Sequence, residues 1–373
     1  MKILHINSYL VDRFFYNGLY REQIKDGNAI DVYVSVPKGG SHAAEQLGAY
    51  VRVKEDHSNW NKFLYFPKQR KIIASVDKEY RVSSYDILHA HSWYTNGYVA
   101  MKLAQKYKKP YIVAVRNGDV NNFYRKVPFL RGVGHSVLVN AAKVVFLSET
   151  YRKMVVEELL PDKISAQIRD KCVVIPNGID KFWLENQYDA PRSLAPRRLK
   201  AIYAGEITKN KNIAASVAAL EILSQKGYNV SLTVIGAVKD DEVYESVKKS
   251  PLVTCKPKMV KEELIGEYRS NDVFMMPSFT EAFGLVYAEA MSQGLPLIYT
   301  SGQGFDGQFP DGDAGYAVDC RDPKDIADKL MLIIKDYQAI SHRCVDDAHK
   351  FAWQKIAAVY ADTYDDVMGK EDK

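Results

Sequence analysis

The chain has few cysteines and no long hydrophobic run. Its four cysteines lie far apart among 373 residues and form no CxxC pair. This spacing argues against a disulfide framework and against a zinc site, and it favours a reducing cytoplasm. The first ten residues carry one charge and a short apolar run, without the cleavage site of a signal peptide. No segment approaches the roughly 20 apolar residues of a membrane-spanning helix. We therefore expect a cytoplasmic protein.

Charge is distributed unevenly along the chain. The net charge is +5, with about +10 in residues 1–180 and about −5 in the remainder. A basic first half could face anionic lipid, a phosphate-linked acceptor or a nucleotide. The alternative is a solvated basic surface. We expect no nucleic-acid partner, and we leave open a peripheral contact of the basic half with the inner face of a membrane.

Short apolar runs alternate with longer amphipathic stretches in two successive series. A chain of 373 residues is too long for one compact core. The pattern predicts two doubly wound, Rossmann-like α/β domains, in residues 1–176 and 177–352, with a C-terminal helix in residues 353–373. Ligands of such sheets bind beyond the carboxyl ends of the strands. We therefore expect the two domains to face a central cleft that holds the site.

The segment from Pro277 to Met291 carries the most chemical information. It reads as the end of a strand, a loop, and a helix that begins near Gly284. The backbone N–H groups of Phe283, Gly284 and Leu285 would then form an anion site at the helix N-terminus. Two glutamates flank this position. Glu281 could hold sugar hydroxyls, and Glu289 could accept both hydroxyls of a ribose. The alternative is that both are ordinary helix or surface acids.

This segment resembles the EX7E signature of the family 4 glycosyltransferases of the GT-B superfamily, from Glu281 to Glu289. The resemblance implies that Glu281 contacts the transferred sugar and that Glu289 binds the ribose. It also implies that the backbone at residues 283–285 holds the sugar and the distal phosphate. The implied activity is sugar transfer from a nucleotide diphosphate donor, with retention of configuration. The acceptor-side domain would be residues 1–176 and the donor domain residues 177–352.

A polar loop after the strand that ends at Gly205 supplies a second element of the donor site. Preorganised cations at this point would stabilise the leaving diphosphate, and Lys209 and Lys211 can provide them. The family pattern here is Gly-Arg followed by a lysine. Lys211 matches that lysine, whereas Glu206 stands where arginine is usual. Either Lys209 replaces the missing cation, or Glu206 has another role such as orienting a lysine.

Two further positions complete the predicted donor site. Gly18, in Tyr-Asn-Gly, is the nearest match to the glycine-rich loop with which the family covers the phosphates, although it could be a plain turn residue. Met259 is a candidate for an apolar contact with the base. We expect the donor to be a UDP-sugar rather than a GDP-sugar.

The acceptor side is represented by two loops of the first domain. One contains His91, which is either a hydrogen-bonded structural histidine or a catalyst. The other begins with Arg116 and Asn117, where many relatives carry histidine at the first of these positions. Arginine at this place could bind an anionic acceptor or a phosphate.

No Asp-x-Asp pair follows an apolar strand, as the metal site of a GT-A enzyme would require. We therefore expect no metal and no cofactor, with the nucleotide diphosphate sugar as co-substrate. The catalytic residues would be Glu281 and Lys211. The acceptor would be a glycan or a lipid-linked sugar, and we expect the protein to act in cell-surface polysaccharide synthesis. The alternatives are a nucleotide-sugar epimerase of GT-B fold and a non-catalytic nucleotide-sugar-binding subunit.

Overall fold

A computed structural model describes residues 1–11, 14–58 and 64–369. The strands are β1 (Lys2–Ile6), β2 (Ala29–Pro37), β3 (Val51–His57), β4 (Ile87–Ala90), β5 (Tyr111–Ala114), β6 (Lys143–Phe146), β7 (Cys172–Val174), β8 (Arg198–Ala204), β9 (Asn229–Ile235), β10 (Val253–Lys256), β11 (Val273–Met276), β12 (Leu297–Thr300) and β13 (Gly315–Val318). The α-helices are α1 (Asn17–Lys25), α2 (Tyr65–Glu79), α3 (Thr95–Tyr107), α4 (Arg131–Asn140), α5 (Glu149–Lys153), α6 (Asp162–Ile168), α7 (Lys181–Glu185), α8 (Ile213–Gln225), α9 (Asp241–Lys248), α10 (Lys261–Ser270), α11 (Leu285–Ser292), α12 (Pro323–Lys335), α13 (Tyr337–Asp347) and α14 (Trp353–Val367).

The strands form two parallel sheets of seven and six strands. Their orders are β3-β2-β1-β4-β5-β6-β7 and β10-β9-β8-β11-β12-β13. Both orders are doubly wound, since the chain starts at a central strand, moves to one edge and then returns to fill the other side. The predicted fold class is therefore confirmed: the architecture is GT-B-like, with two Rossmann-like sheets flanked by helices. The order reverses between β1 and β4 in one sheet and between β8 and β11 in the other.

Several elements of the structure are not marked by the sequence pattern, among them β3, α2 and α13. Strand β3 has only two apolar residues among seven, and its exposed and buried positions alternate along one edge of the sheet. Helix α2 contains Pro67 near its start, which weakens a helical pattern read from sequence alone. Helix α13 follows α12 after a single residue, Asp336, so the two read as one long amphipathic stretch. In each case the apolar periodicity is interrupted or too weak to mark the element.

The chain divides into two compact units. The first unit contains Met1–Leu147, Arg152–Gly178 and the described chain from Trp353 onward. The second unit contains Ser148–Tyr151 and Ile179–Ala352. The C-terminal helix α14 thus belongs to the first unit, where Trp353, Ile356 and Tyr360 join the core. None of the helices in the described ranges has both the length and the apolar character to cross a bilayer.

Candidate functional site

Two loops follow the strands at which the strand order of the second sheet reverses. One loop leaves β8 at Gly205, and the other leaves β11 at Pro277. Gly205 has φ +158° and lies so close to Gly236 that a Cβ on Gly236 would sit 1.7 Å from the Gly205 carbonyl oxygen. This close packing holds the loop against the end of β9. Ligands of doubly wound sheets bind at such a reversal point, so these two loops define the candidate site.

Helix α11 presents a free N-terminus at this point. Gly284 precedes the helix in the left-handed region, with φ +74°, a conformation that a residue with a Cβ rarely adopts. The described residues supply no acceptor for the backbone N–H groups of Phe283, Gly284 and Leu285. The Phe283 side chain is buried against Phe305, which fixes the turn. The free N–H groups on which the predicted anion site depends are therefore present in the local backbone, and anion binding by them stays a prediction.

Lys211 and Glu281 form an ion pair beside this helix N-terminus. The Lys211 Nζ lies 2.5 Å from a Glu281 carboxylate oxygen and 3.7 Å from the Met276 sulfur. Both side chains are mostly buried, at 21% and 12% exposed. The other Glu281 oxygen accepts a hydrogen bond from the Ala282 N–H at 3.0 Å. The two residues predicted to be catalytic are thus in direct contact.

Two asparagines join the lysine loop to the glutamate loop. The Asn210 side chain donates to the Thr280 carbonyl at 2.8 Å and accepts from the Thr280 hydroxyl at 2.7 Å. Asn212, which has φ 52°, donates to the carbonyl oxygens of Pro277 and Cys320. These contacts on both sides of Lys211 restrict its backbone. Asparagine tolerates the left-handed conformation, which explains this residue type at position 212.

Glu289 lies in the second turn of α11, partly exposed, and its pKa is raised. Burial raises the pKa of Glu289 to about 7, and the neighbouring Asp180 carboxylate adds to this rise. The Trp183 indole and the Lys261 ammonium oppose the rise in the Glu289 pKa. Lys261 is itself held 2.6 Å from Asp180. Glu289 therefore changes charge near neutral pH.

A cavity of about 320 Å³ contains the remaining predicted donor residues apart from Lys209 and Gly18. Gly205, Glu206 and Met259 line it, together with Val286 of α11. Sequence reasoning missed Lys239 and Lys258, which also line the cavity. Both lysines follow the carboxyl ends of strands, β9 and β10, and the rule that located the other loops would have found them. The cavity combines apolar walls with charged groups.

Glu206 and Lys209 are both exposed. Among the residues that the structure describes, the Glu206 carboxylate forms no ion pair, and Lys211 pairs with Glu281 instead. Glu206 therefore orients neither Lys209 nor Lys211 in this structure. Whether Lys209 replaces the usual arginine stays a prediction.

Gly18 has a packing reason for being glycine. It lies in α1, where a Cβ would sit 2.1 Å from Cδ1 of Trp353. A Cβ on Gly178 would likewise lie 2.4 Å from the Trp353 ring. Both glycines therefore make room for the indole at the start of α14. The donor role of Gly18 stays a prediction, beside this structural role.

The acceptor-side prediction leads to a buried polar cluster in the first unit. His5 of β1 pairs in register with His89 of β4, and His91 follows β4. All three rings are fully buried. The nearest His5 and His91 nitrogens are 3.0 Å apart, and the His89 and His91 rings stack at 4.1 Å. Burial lowers the pKa of His5 to about 3, and it lowers the pKa of His89 and of His91 well below the usual value. The structural interpretation of His91 fits this arrangement.

The three histidines are the one group of metal-binding side chains, in the described part of the chain, that lie close enough together to hold a metal ion. Their ligand atoms lie within 4.8 Å of one another. A zinc ion needs ring nitrogens that converge on a point about 2 Å from each of them. The parallel His89 and His91 rings, at an interplanar angle of 15°, do not converge in this way. The arrangement fits ring packing better than metal ligation, and the absence of a metal requirement stays a prediction.

Arg116 follows β5 and is 7% exposed. Its Nε donates to the His91 carbonyl at 3.3 Å, and its guanidinium lies over the Tyr16 ring at 5.7 Å. The neighbouring Asn117 accepts a hydrogen bond from the Asn121 side chain. Asp119 braces the loop, because its carboxylate accepts from the backbone N–H groups of Trp93, Tyr94 and Arg116. The structure thus brings His91 and Arg116 together and leaves Asn117 on the adjoining turn.

Two family models match the chain. The model described as Glycosyltransferase Family 4 matches residues 17–181, and the model described as Glycosyl transferases group 1 matches residues 186–351. The D-inositol 3-phosphate glycosyltransferase of Paenarthrobacter aurescens (strain TC1) is 27% identical over 371 residues, covering 91% of this chain and 89% of that protein. The protein of the same name from Corynebacterium jeikeium (strain K411) is 26% identical, covering 76% and 73% of the two chains.

Solved structures share the fold at low sequence identity. Sucrose-phosphate synthase from Thermosynechococcus elongatus has a TM-score of 0.74 at 16% identity, covering 99% of both chains. HepE from Anabaena in complex with UDP has a TM-score of 0.72 at 16% identity, covering 98% of this chain and 100% of that one. The two family models together span most of the sequence and agree with the EX7E signature and the doubly wound sheets. This chain therefore belongs to glycosyltransferase family 4, and it is a glycosyltransferase with the GT-B fold.

Proposed function

We propose that the enzyme transfers a sugar, with retention, from a nucleotide diphosphate sugar to a glycan or lipid-linked acceptor. The single observation that carries this proposal is the free N-terminus of α11 at residues 283–285, beside Lys211 and Glu281. Backbone N–H groups and a lysine form a site for the diphosphate. We further propose that these groups replace a divalent cation, so that the enzyme requires no metal or other cofactor.

The reaction breaks the bond between the anomeric carbon and the diphosphate oxygen. Negative charge then grows on the diphosphate, where the N–H groups of residues 283–285 and the Lys211 ammonium stabilise it. The acceptor oxygen bonds to the anomeric carbon on the same face, and its proton passes to the leaving phosphate. Glu281 keeps Lys211 in place and receives the sugar hydroxyls. Retention rests on the family resemblance.

The nucleoside part of the donor has its own candidate contacts. We assign the ribose hydroxyls to Glu289, which lies one turn beyond the anion site on α11. The base would enter the cavity lined by Met259 and Val286, with Gly205 and Glu206 at its wall. UDP is the favoured nucleotide, and the presence of UDP in the similar HepE structure supports this choice. Lys209, which is exposed in the loop after Gly205, is assigned to the same donor site.

The acceptor is assigned to the first unit, at Arg116 and Asn117, and His91 positions Arg116 because its carbonyl accepts from the Arg116 Nε. We place the enzyme in cell-surface polysaccharide synthesis, in the cytoplasm. The similar structures include a lipopolysaccharide outer core galactosyltransferase, WaaB, with a TM-score of 0.74 at 14% identity.

A peripheral membrane contact is also part of this proposal. Its support is the Phe129 side chain, 77% exposed, in a segment that carries Arg125, Lys126 and Arg131.

Thermal unfolding with added nucleotides tests the donor site. We expect UDP to raise the melting temperature more than GDP, and equally with Mg²⁺ or with EDTA, because a ligand that binds the folded state stabilises it. Lys211→Ala should abolish the shift. The surface variant Lys226→Ala, whose partner Asp328 lies on the surface, should retain it. Absence of any nucleotide response in the wild type would contradict the proposal.

Turnover assays with and without acceptor separate the remaining functions. A transferase consumes donor rapidly only when an acceptor is present. An epimerase would convert the donor without an acceptor, and a binding subunit would show a nucleotide shift without turnover. Retention is checked by NMR of the anomeric proton in the product. Flotation with vesicles of anionic lipid, compared with neutral lipid and with Phe129→Ser, checks the membrane contact.

A further inference from the structure

The guanidinium of Arg116 is a buried cation without a matching anion. No carboxylate lies within ion-pair distance of it among the described residues, and neither terminal nitrogen has a hydrogen-bond partner there. The Tyr360 hydroxyl lies nearby without meeting hydrogen-bond geometry for either nitrogen. Buried arginines in proteins are almost always paired, because an uncompensated buried charge is costly. This residue therefore has four N–H groups for which the described chain provides no acceptor.

The surrounding charges do not neutralise Arg116. Asp119 is the nearby anion, but both of its oxygens point to the backbone N–H groups that it braces. Burial, with a contribution from Arg116, lowers the pKa of His89 and of His91 well below the usual value, so both rings are neutral. The Tyr16 ring lies with its face toward the guanidinium, at 5.7 Å. The positive charge thus remains available to a ligand.

The position of Arg116 is that of a ligand contact. The residue follows β5 directly, at the carboxyl end of the strand next to β4, where the strand order has just reversed. The loop backbone at Arg116 is fixed by the Asp119 carboxylate at 3.0 Å, and the Nε by the His91 carbonyl. Only the two terminal nitrogens remain, and they form the planar fork that matches a carboxylate or a phosphate.

We propose that Arg116 forms an anion subsite, so that one of the two sugars joined by this enzyme carries a carboxylate or a phosphate group. The inference rests on the proposed function, since it assigns the substrate class of the acceptor-side residues. The anion accepts hydrogen bonds from both terminal nitrogens and compensates the buried charge. A neutral sugar at this place leaves the guanidinium unpaired, and the subsite therefore selects against it.

Calorimetric titration in the presence of saturating UDP tests this subsite, because UDP fills the separate diphosphate site. The probes are glucose, glucuronate and glucose 6-phosphate, which differ in the group at one carbon. We expect at least one anionic probe to bind about 10-fold or more tightly than glucose. The preferred probe distinguishes a carboxylate from a phosphate. Equal binding of all three, or no binding of either anion, would overturn the proposal.

Arg116→Gln provides the matched variant. We expect it to remove the preference for the anion while the UDP dissociation constant stays unchanged. Arg116→Lys keeps the charge and guards against misfolding; it should retain part of the preference, because an ammonium lacks the planar fork. Arg81→Gln, at an exposed arginine of the same unit, serves as the control. An anion preference that persists in Arg116→Gln would show that Arg116 is only structural. Loss of UDP binding in the wild type would instead contradict the proposed function itself.

Discussion

The two reversal points of the two sheets have the same topology and different polar groups. In the second unit, Lys211 and Glu281 are partly exposed, paired with each other and placed beside free backbone N–H groups. In the first unit, the corresponding strand ends carry buried neutral histidines, and the loop after the neighbouring β5 adds a buried guanidinium. The same strand order can thus present either an ion pair beside backbone N–H groups or one unpaired guanidinium. The difference shows that the fold supplies the position and the loop residues supply the chemistry.

The largest expected effect lies in the second unit. We expect Lys211→Ala and Glu281→Ala each to lower kcat by about 10²-fold or more, since each removes stabilisation that acts at the transition state. Steady-state transfer from a UDP-sugar measures this loss. Lys226→Ala is the control on the surface of the same unit. Full activity in both site variants would remove the contrast between the two units.

A structural effect of similar size is expected in the first unit. Asp119→Ala leaves the buried N–H groups of Trp93, Tyr94 and Arg116 without their acceptor, which should lower the free energy of unfolding by about 3 kcal/mol. Thermal or urea unfolding measures this change. Asp119→Asn keeps one acceptor oxygen and should lose less.

The Asp119 carboxyl also predicts a pH dependence of stability. Burial raises its pKa to about 6 in the folded state, from an ordinary value of 3.8. The folded state therefore binds the proton more tightly, and this carboxyl's contribution to the unfolding free energy decreases as pH rises from about 4 to 6. This dependence of the unfolding free energy on pH should disappear in Asp119→Asn. If it persists unchanged in that variant, other groups are its source.

Gly18→Ala should destabilise the first unit by about 2 kcal/mol, because its Cβ would overlap the Trp353 ring. Gly132→Ala is the matched control, since a Cβ at Gly132 meets nothing within 4 Å. Melting temperature and the UDP dissociation constant should be measured together. A weakened UDP affinity at unchanged stability would favour the donor-loop role over the packing role of Gly18.

Glu289→Gln should weaken binding of a UDP-sugar by about 10-fold, through the loss of hydrogen bonds to a charged group. Because burial raises the pKa of Glu289 to about 7, binding to the wild type should weaken as pH falls from about 8 to 6. The pyrophosphate of a nucleotide sugar has no group that titrates in this range. If binding of the UDP-sugar by Glu289→Gln does not change with pH, Glu289 is the source of the pH dependence in the wild type. An equal pH dependence in both proteins would exclude Glu289.

The smallest effect is expected at Glu206. Its carboxylate is exposed and forms no ion pair within the described residues, so Glu206→Ala should change donor binding by less than about 3-fold. The substitution Glu206→Arg introduces the cation that the family usually has at this position. Tighter donor binding by that variant would indicate that the wild type lacks a cation that binds the diphosphate. A loss of more than about 10-fold in Glu206→Ala would instead give the carboxylate a direct role in the cavity.

Local sequence pattern was sufficient for much of the second unit. Strand β11 ends at Met276 and helix α11 begins at Leu285, where the pattern of the Pro277–Met291 segment places the end of a strand and a helix start near Gly284. Both are short apolar segments separated by a loop that ends in glycine, and the site arises where one follows the other. The pair of lysine and glutamate comes from two such loops, which the parallel strand order brings together.

By itself, the sequence determined the two doubly wound sheets, the family and the glycine turn that opens α11, because these depend on apolar runs, a glycine and a motif within a few residues. Only the tertiary structure decided the contacts between distant segments. His5 meets His89 across 84 positions, and Trp353 packs on Gly18. The edge strand β3 and the lysines of the 320 Å³ cavity also needed the structure. The physical reason is that burial and pairing of a polar group depend on which strands and helices pack together, and no local periodicity contains that information.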